Sequence, residues 1–410
     1  MTEMSSPPLG KAPPTADTTR HRGNAVLALA MVLVALNLRT TVASLPPLLT
    51  DVRADFALTG AVAGLVTATP VLCMAWIAPP AARLGRRLGY PATTLLAVVL
   101  IALGNAMRGL SGAAPALLLA TLVAGAGVSV AGVVVPAVVK DAFPGRKGLA
   151  TGGYSVAMML GAATAATFSA PLADALGSWR ASLSFWALPA AAAAVAWTLV
   201  ARRVAPTSRT RRVCGGHVAL PWRSRPAWLL VVFMSAQSAM AYAFLGWLAP
   251  AYVARGWTAF AAGALVGINN LAQLTSALTL PALADRTGAF RRLVVIAASL
   301  TVVGTSWFWA APDVAPWAAA VVLGLGLGGG FSLGLTRIVQ YAADAQASSR
   351  LTALVFLVSY SVAALTPVVV GVLQDVTGGF TVPFGLLLLL SLTQWTVAGR
   401  LHARYAGTIS

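Results

Sequence analysis

Acidic residues are scarce in this chain. Ten of the 410 residues are Asp or Glu, against 28 Lys and Arg, and Glu3 is the only glutamate. Charged residues of both signs make up 9% of the sequence, where a soluble domain carries about a quarter. Cysteine and histidine are nearly absent too. Cys73 falls in an apolar run, Cys214 in a basic stretch, and His21, His217 and His402 are far apart. This excludes a disulfide framework and any metal-ligand spacing, and no cofactor is expected. No catalytic constellation can be assembled, so an enzyme is not expected. The net charge of +18 does not indicate nucleic acid, because the basic residues punctuate apolar runs and form no solvated basic domain.

Apolar residues dominate: 58% of the chain is hydrophobic, with a mean hydropathy of +0.82. Only a lipid bilayer solvates such a composition. The sequence predicts an all-α integral membrane protein with twelve spans, at 24–49, 59–81, 90–110, 115–139, 148–172, 181–201, 227–252, 260–282, 292–311, 316–340, 350–373 and 381–401. Residues 1–23 read as a disordered tail without a secretory signal, 202–226 as a basic linker with seven arginines, and 403–410 as a second tail. With both termini cytoplasmic, 22 of the 28 basic residues face the cytoplasm, as the positive-inside rule requires.

The linker splits the spans six and six, and the halves repeat. Adding 203 to a position in the first half lands on the same residue in the second: Leu45 and Leu248, Pro47 and Pro250, Gly60 and Gly263, Gly64 and Gly267, Arg83 and Arg286, Gly85 and Gly288. Six spans per half give the two copies one orientation, the parallel repeat of a major facilitator, with a cavity expected between the halves.

The loops after spans 2 and 8 read APPAARLGRR and PALADRTG. Both resemble the major facilitator loop signature. Asp285, Arg286 and Gly288 keep it, whereas the first copy keeps Arg83 and Gly85 but has Ala82 in place of the acid. The resemblance implies a gating latch in which the acid meets helix N-termini; plain positive-inside anchoring is the other reading. The GLGLGGGF run at 324–331 satisfies G-x-G-x-x-G but lies within a span, so it reads as a close-packing seam and not a dinucleotide site.

More specific is LNLRTTVASLPPLL at 36–49. With VVVPAVVKDAFPGRKGLATGGYS (133–155), SWRASLSFWALPA (178–190), Gln237, Tyr242, Trp247 and Pro250 in span 7, and Tyr360 and Pro367 in span 11, it resembles the cyanate/2-nitroimidazole permease family of major facilitators. The resemblance covers nearly the whole chain. It implies a multi-pass protein of the bacterial inner membrane and a small-molecule substrate. This chain departs from the family pattern at Thr40 (usually Pro), Gly132 (often an amide), Phe356 (often Gln) and Arg337 (usually apolar).

Arg39 lies in the middle of span 1, where an arginine costs at least ~2.5 kcal/mol on insertion scales. None of the ten acids falls deep in a span, so its natural partner is a substrate anion held by the planar guanidinium fork. A brace between helices is the alternative. At 100° per residue Asn37, Thr40, Thr41 and Ser44 share one stripe, and Arg39 points about 160° from Asn37. Tyr154, Gln237, Tyr242, Trp247, Asn269, Asn270 and Gln273 are further mid-span polar groups. The candidate binding set is Arg39, Asn37, Gln237, Tyr242, Trp247, Tyr154, Asn269, Gln273, Tyr360 and Arg337. Arg337 either snorkels to the interface or adds a second anion contact, and Arg108 reads as a rim or structural residue. The expected function is a monomeric alternating-access carrier for a small anion. Drug or nitro-heteroaromatic efflux and a non-transporting membrane receptor are the alternatives.

Overall fold

The computed structural model describes residues 16–142, 147–201, 220–402 and 405–409. Helices account for almost all of them, because a chain in lipid must satisfy its backbone N–H and C=O groups within each segment. The first half comprises α1 (Ala16–Ala43), a 3₁₀ turn (Pro46–Leu48), α2 (Leu49–Phe56), α3 (Gly60–Trp76), α4 (Ala78–Leu88), α5 (Tyr90–Gly109), α6 (Ala114–Ala142), α7 (Lys147–Leu176), α8 (Trp179–Phe185) and α9 (Ala187–Ala201). The second comprises α10 (Arg225–Val253), α11 (Ala259–Thr287), α12 (Phe290–Ala310), α13 (Pro316–Tyr341), α14 (Ala345–Thr377) and α15 (Thr381–Ala398).

Every predicted span falls on a helix, with local corrections. Pro46 and Pro47 remove two backbone donors, so span 1 stops at Ala43 and a 3₁₀ turn and α2 follow. Span 6 breaks at Trp186 into α8 and α9. Ten helical segments among the described residues are long and apolar enough to cross a membrane. Gly60–Trp76 falls short in length, and α11, at 29 residues, is made more polar by Asn269, Asn270 and Gln273. The termini also differ from expectation. Residues 16–23 belong to α1 and not to a tail. At the other end the chain folds back: Ile409 N–H donates to Tyr341 O (3.0 Å), Gly407 N–H to Gln340 O (3.0 Å), and Ile409 is buried. The sequence offers no apolar run there that would announce it. The predicted tail 1–15 and linker portion 202–219 lie outside the described residues.

Side-chain caps start several helices. Thr59, Ser224, Thr258 and Asp344 accept hydrogen bonds from Val62, Ala227, Ala261 and Ala347 N–H, satisfying donors the helix leaves free. The outer surface is apolar: Trp76, Leu110, Leu199 and Val376 are all exposed, as lipid contact demands.

The halves meet along two seams, α3 against α14 and α7 against α11. Both are backbone-close. A Cβ added at Gly64 would collide with the Pro367 carbonyl, and one at Gly263, the repeat counterpart of Gly60, with the Ala166 carbonyl. A side chain at either glycine would hold the seam apart.

Candidate functional site

The side on which α9 ends and α10 begins is here called the linker side; the other is the far side. On the far side the halves are clamped. Arg53 of α2 donates from Nη2 to Asp375 Oδ1 (2.9 Å) and from Nη1 to Gln374 Oε1 (2.8 Å), both on α14. The second carboxylate oxygen of Asp375 accepts from Gly60 N–H, the first residue of α3. Trp247 donates from Nε1 to Pro367 O (2.9 Å) and carries the Arg53 guanidinium over its ring. On the linker side α4 packs on α5 and α6 of its own half.

Between the halves lies a cavity of about 570 Å³. Its lining runs from mid-helix to linker-side positions, such as Pro136 on α6, Tyr154 on α7, Pro281 on α11 and Leu335 on α13. Arg39 enters it from α1. Its Nη1 donates to Tyr242 Oη of α10 (3.3 Å), and the guanidinium sits 5.8 Å from the Tyr242 ring centre. Tyr154 and Tyr360 line the same space. No acid lies within ion-pair distance of Arg39 among the described residues. A guanidinium taken from water needs a counter-charge or a full set of acceptors, and a phenol supplies only one neutral acceptor.

Arg39 and Tyr242 are 203 residues apart, the repeat interval itself. A segment related to its copy by rotation touches the equivalent position only at the rotation axis. The pair therefore marks the pseudo-twofold axis, with one half contributing the cation and the other the phenol.

The matching family profile is that of the Major Facilitator Superfamily, over residues 27–401. The cyanate transport protein CynX of Escherichia coli (strain K12) is 32% identical over 355 residues, covering 86% of this chain and 91% of that protein. The 2-nitroimidazole transporter of the same organism is 31% identical over 371 residues, 90% and 93% of the two chains. The chain belongs to the major facilitator superfamily, in its cyanate/2-nitroimidazole permease branch. It is a membrane transporter and not an enzyme. Among solved structures, a D-xylose–proton symporter superposes with a TM-score of 0.71 at 14% identity, over 92% of this chain and 99% of that one. The nucleoside transporter NupG gives 0.69 at 12%, over 92% and 98%. At such identities the likeness establishes the fold.

The transporter's cavity gathers Arg39, Tyr154, Gln237, Tyr242, Gln273 and Tyr360. Gln237 is already committed: Nε2 donates to Leu327 O and Oε1 accepts from Gln394 Nε2. Gln273 donates to Asn269 Oδ1 (2.8 Å).

The other four candidates lie elsewhere. Asn37 points into its own half, donating to Leu33 O (2.7 Å) and Pro189 O (3.1 Å); the angle of about 160° to Arg39 put the two on opposite faces of α1. Trp247 belongs to the far-side seam. Asn269 donates to Ala320 O of α13 (2.9 Å), and its neighbour Asn270 takes the cavity wall instead. Asn270, Gln273/Leu274, Ala277 and Pro281 form the wall stripe of α11, an i, i+3/i+4, i+7 pattern legible in the sequence. Arg337 neither snorkels nor reaches the cavity. It is buried over the Phe290 ring at 4.1 Å, donating to Gln340 Oε1 (2.8 Å) and Leu401 O (3.3 Å). Arg108 is also buried, not at a rim, with Nη1 on Thr41 O (2.8 Å) and Nε on Thr121 Oγ1 (3.2 Å).

The gating candidates stand at the linker side. Arg83, Asp285, Arg286 and Gly288 are exposed, and Asp285 makes no ion pair among the described residues. Gly288 caps α11 with φ 64°. Gly85, its repeat partner, is buried within α4 against Tyr90 and Val134, and the residue that ends that helix is Gly89, at a positive φ of 80° but extended in ψ.

Proposed function

We propose that this transporter carries a small organic or inorganic anion by alternating access, with Arg39 as the charge that the substrate neutralises. One observation carries the reading: a guanidinium stands on the axis of the cavity between the halves, and among the described residues its only hydrogen-bond partner there is a phenol. An anion binding there supplies the missing charge and meets both halves at once. The twelve spans expected from the sequence and the positive-inside distribution support an inner-membrane orientation with both termini cytoplasmic. In that orientation the described conformation is sealed outside and accessible from the cytoplasm. Asp285, Arg286 and Gly288, with Arg83 and Gly85, are then the parts of a cytoplasmic latch that is disengaged in this state. The carrier is taken as a monomer. The aromatic lining, together with a relative named for 2-nitroimidazole, favours export of nitro-heteroaromatics as the second reading.

Arg39→Ala tests the anion reading. Loss of a buried charge-assisted pair costs about 2–5 kcal/mol, or roughly 30- to several-thousand-fold in affinity. Arg39→Lys restores part of it, since a point charge does not reproduce the fork. Dissociation constants and melting temperatures are measured together on both variants. A brace predicts a lower melting temperature with affinity per folded molecule intact, and wild-type anion affinity in folded Arg39→Ala protein ends the anion reading. Saturable counterflow in proteoliposomes separates a carrier from a receptor.

A further inference from the structure

Beyond its single guanidinium, the cavity is built for a larger partner than a bare inorganic anion. Tyr242, which touches Arg39, packs edge-on to Tyr360 with ring centres 6.3 Å apart, and Tyr360 packs on Phe356 at 5.4 Å. All three line the cavity. An uninterrupted aromatic wall therefore leads away from the cation. On the first-half side of the same cavity Gly132 of α6 has no atom within 4 Å of where a Cβ would stand, so the helix leaves free space there. Met74 and Met158, both lining, add adaptable apolar surface. A volume of about 570 Å³ lies in the range of pockets that enclose drug-sized organic ligands. A three-atom anion would occupy a small part of it and leave an apolar wall wetted.

We infer that the substrate is an aromatic monoanion of one to two rings, its carboxylate or equivalent anionic group on Arg39 and its ring on the Tyr242–Tyr360–Phe356 wall, with Gly132 providing the room for the ring. This rests on the anion reading of Arg39 and adds the substrate class. The cation selects charge, and the wall and the glycine select size and planarity. Aromatic rings prefer offset or edge-on approach to such a wall, which suits a planar ligand better than a branched one.

The test uses the purified full chain and four probes, acetate, benzoate, 2-naphthoate and the uncharged 2-naphthamide, with affinities read by calorimetry or competition. The expected order is 2-naphthoate, benzoate, acetate, each ring adding about tenfold or more through the apolar area it buries. Phe356→Ala weakens 2-naphthoate by about 3- to 10-fold and acetate by less. Gly132→Phe fills the free space and weakens 2-naphthoate more than benzoate. Arg39→Ala removes binding of all three anions. Acetate binding as tightly as 2-naphthoate, or Phe356→Ala and Gly132→Phe weakening all three anions equally, overturns the aromatic class while Arg39→Ala still upholds the anion reading. The amide binding as tightly as the acid, with Arg39→Ala silent, overturns the anion reading instead. Phe356→Leu serves as a second wall variant should the alanine fail to fold.

Discussion

Asp375 is the point at which the far-side seal is most open to perturbation. Its carboxylate joins Arg53 of the first half at 2.9 Å and caps the start of α3 through Gly60 N–H. The ion pair is a quarter to a third exposed, at 25% and 30%, so by itself it is worth about 0.2–1 kcal/mol. The charged hydrogen bond to the α3 terminus contributes more, about 1.5–3 kcal/mol. These contributions overlap at one carboxylate, and together they favour the sealed state by about 2–3 kcal/mol, or roughly 30- to 150-fold in population. Asp375→Ala should move the carrier toward a far-side-open state by that factor. The assay is a spin-label distance between cysteines placed at Leu110 and Val376, exposed on the far side of either half, with a second pair at Arg87 and Thr287 on the linker side. Cys73 and Cys214 are replaced beforehand. The variant should show a new long component on the far side and a matching short component on the linker side. Superimposable distributions in variant and wild type would refute the idea that this carboxylate holds the seam.

Other perturbations separate the seams, the latch and the scaffold. Gly64→Val places a Cβ against the Pro367 carbonyl, and overpacking of about 1–3 kcal/mol should keep the far side open and abolish flux; unchanged flux would show that the seam tolerates separation. Asp285→Asn should lower turnover more than affinity by weakening the linker-side-closed state; equal rates in proteoliposomes would remove the latch role. Arg337→Leu removes two hydrogen bonds and the stacking on Phe290. It should lower the melting temperature by about 1–3 kcal/mol worth of stability while leaving ligand affinity intact, and a lost affinity with normal melting would return Arg337 to the binding site.

The apolar segments were readable because hydropathy over twenty residues depends on composition alone and needs no knowledge of partners. The repeat was readable because its glycines mark close approaches: Gly60, Gly64 and Gly263 stand where backbones touch, and Gly267 stands against the Thr167 side chain. Of the site, Arg39 stood out because a lone charge in lipid is costly wherever it points. Neutral side chains carry no such signal. Asn269 and Asn270 are adjacent and chemically identical, and a 100° turn of the helix sends one to Ala320 and the other to the cavity. Trp247 and Tyr242 sit five residues apart on α10, one on a seam and one on the axis; only the packing of α14 tells them apart. Arg337 was misleading because one of its two acceptors, the Leu401 carbonyl, is a backbone group, invisible to any pattern of residue types; only Gln340, three residues on, could have been read.

The contact between Arg39 and Tyr242 bears on how a duplicated half diverges. Where two copies of an ancestral position lie apart, they drift without meeting. At this position the copies are in contact, so any residue fixed in both must tolerate its own image. Two arginines there would repel each other in a low-dielectric core, and two tyrosines would leave no charge. Only an unlike pair yields a single positive centre. The cavity that results is built from twin halves yet carries one positive centre on its axis, a number set by self-contact and not by the size of the cavity.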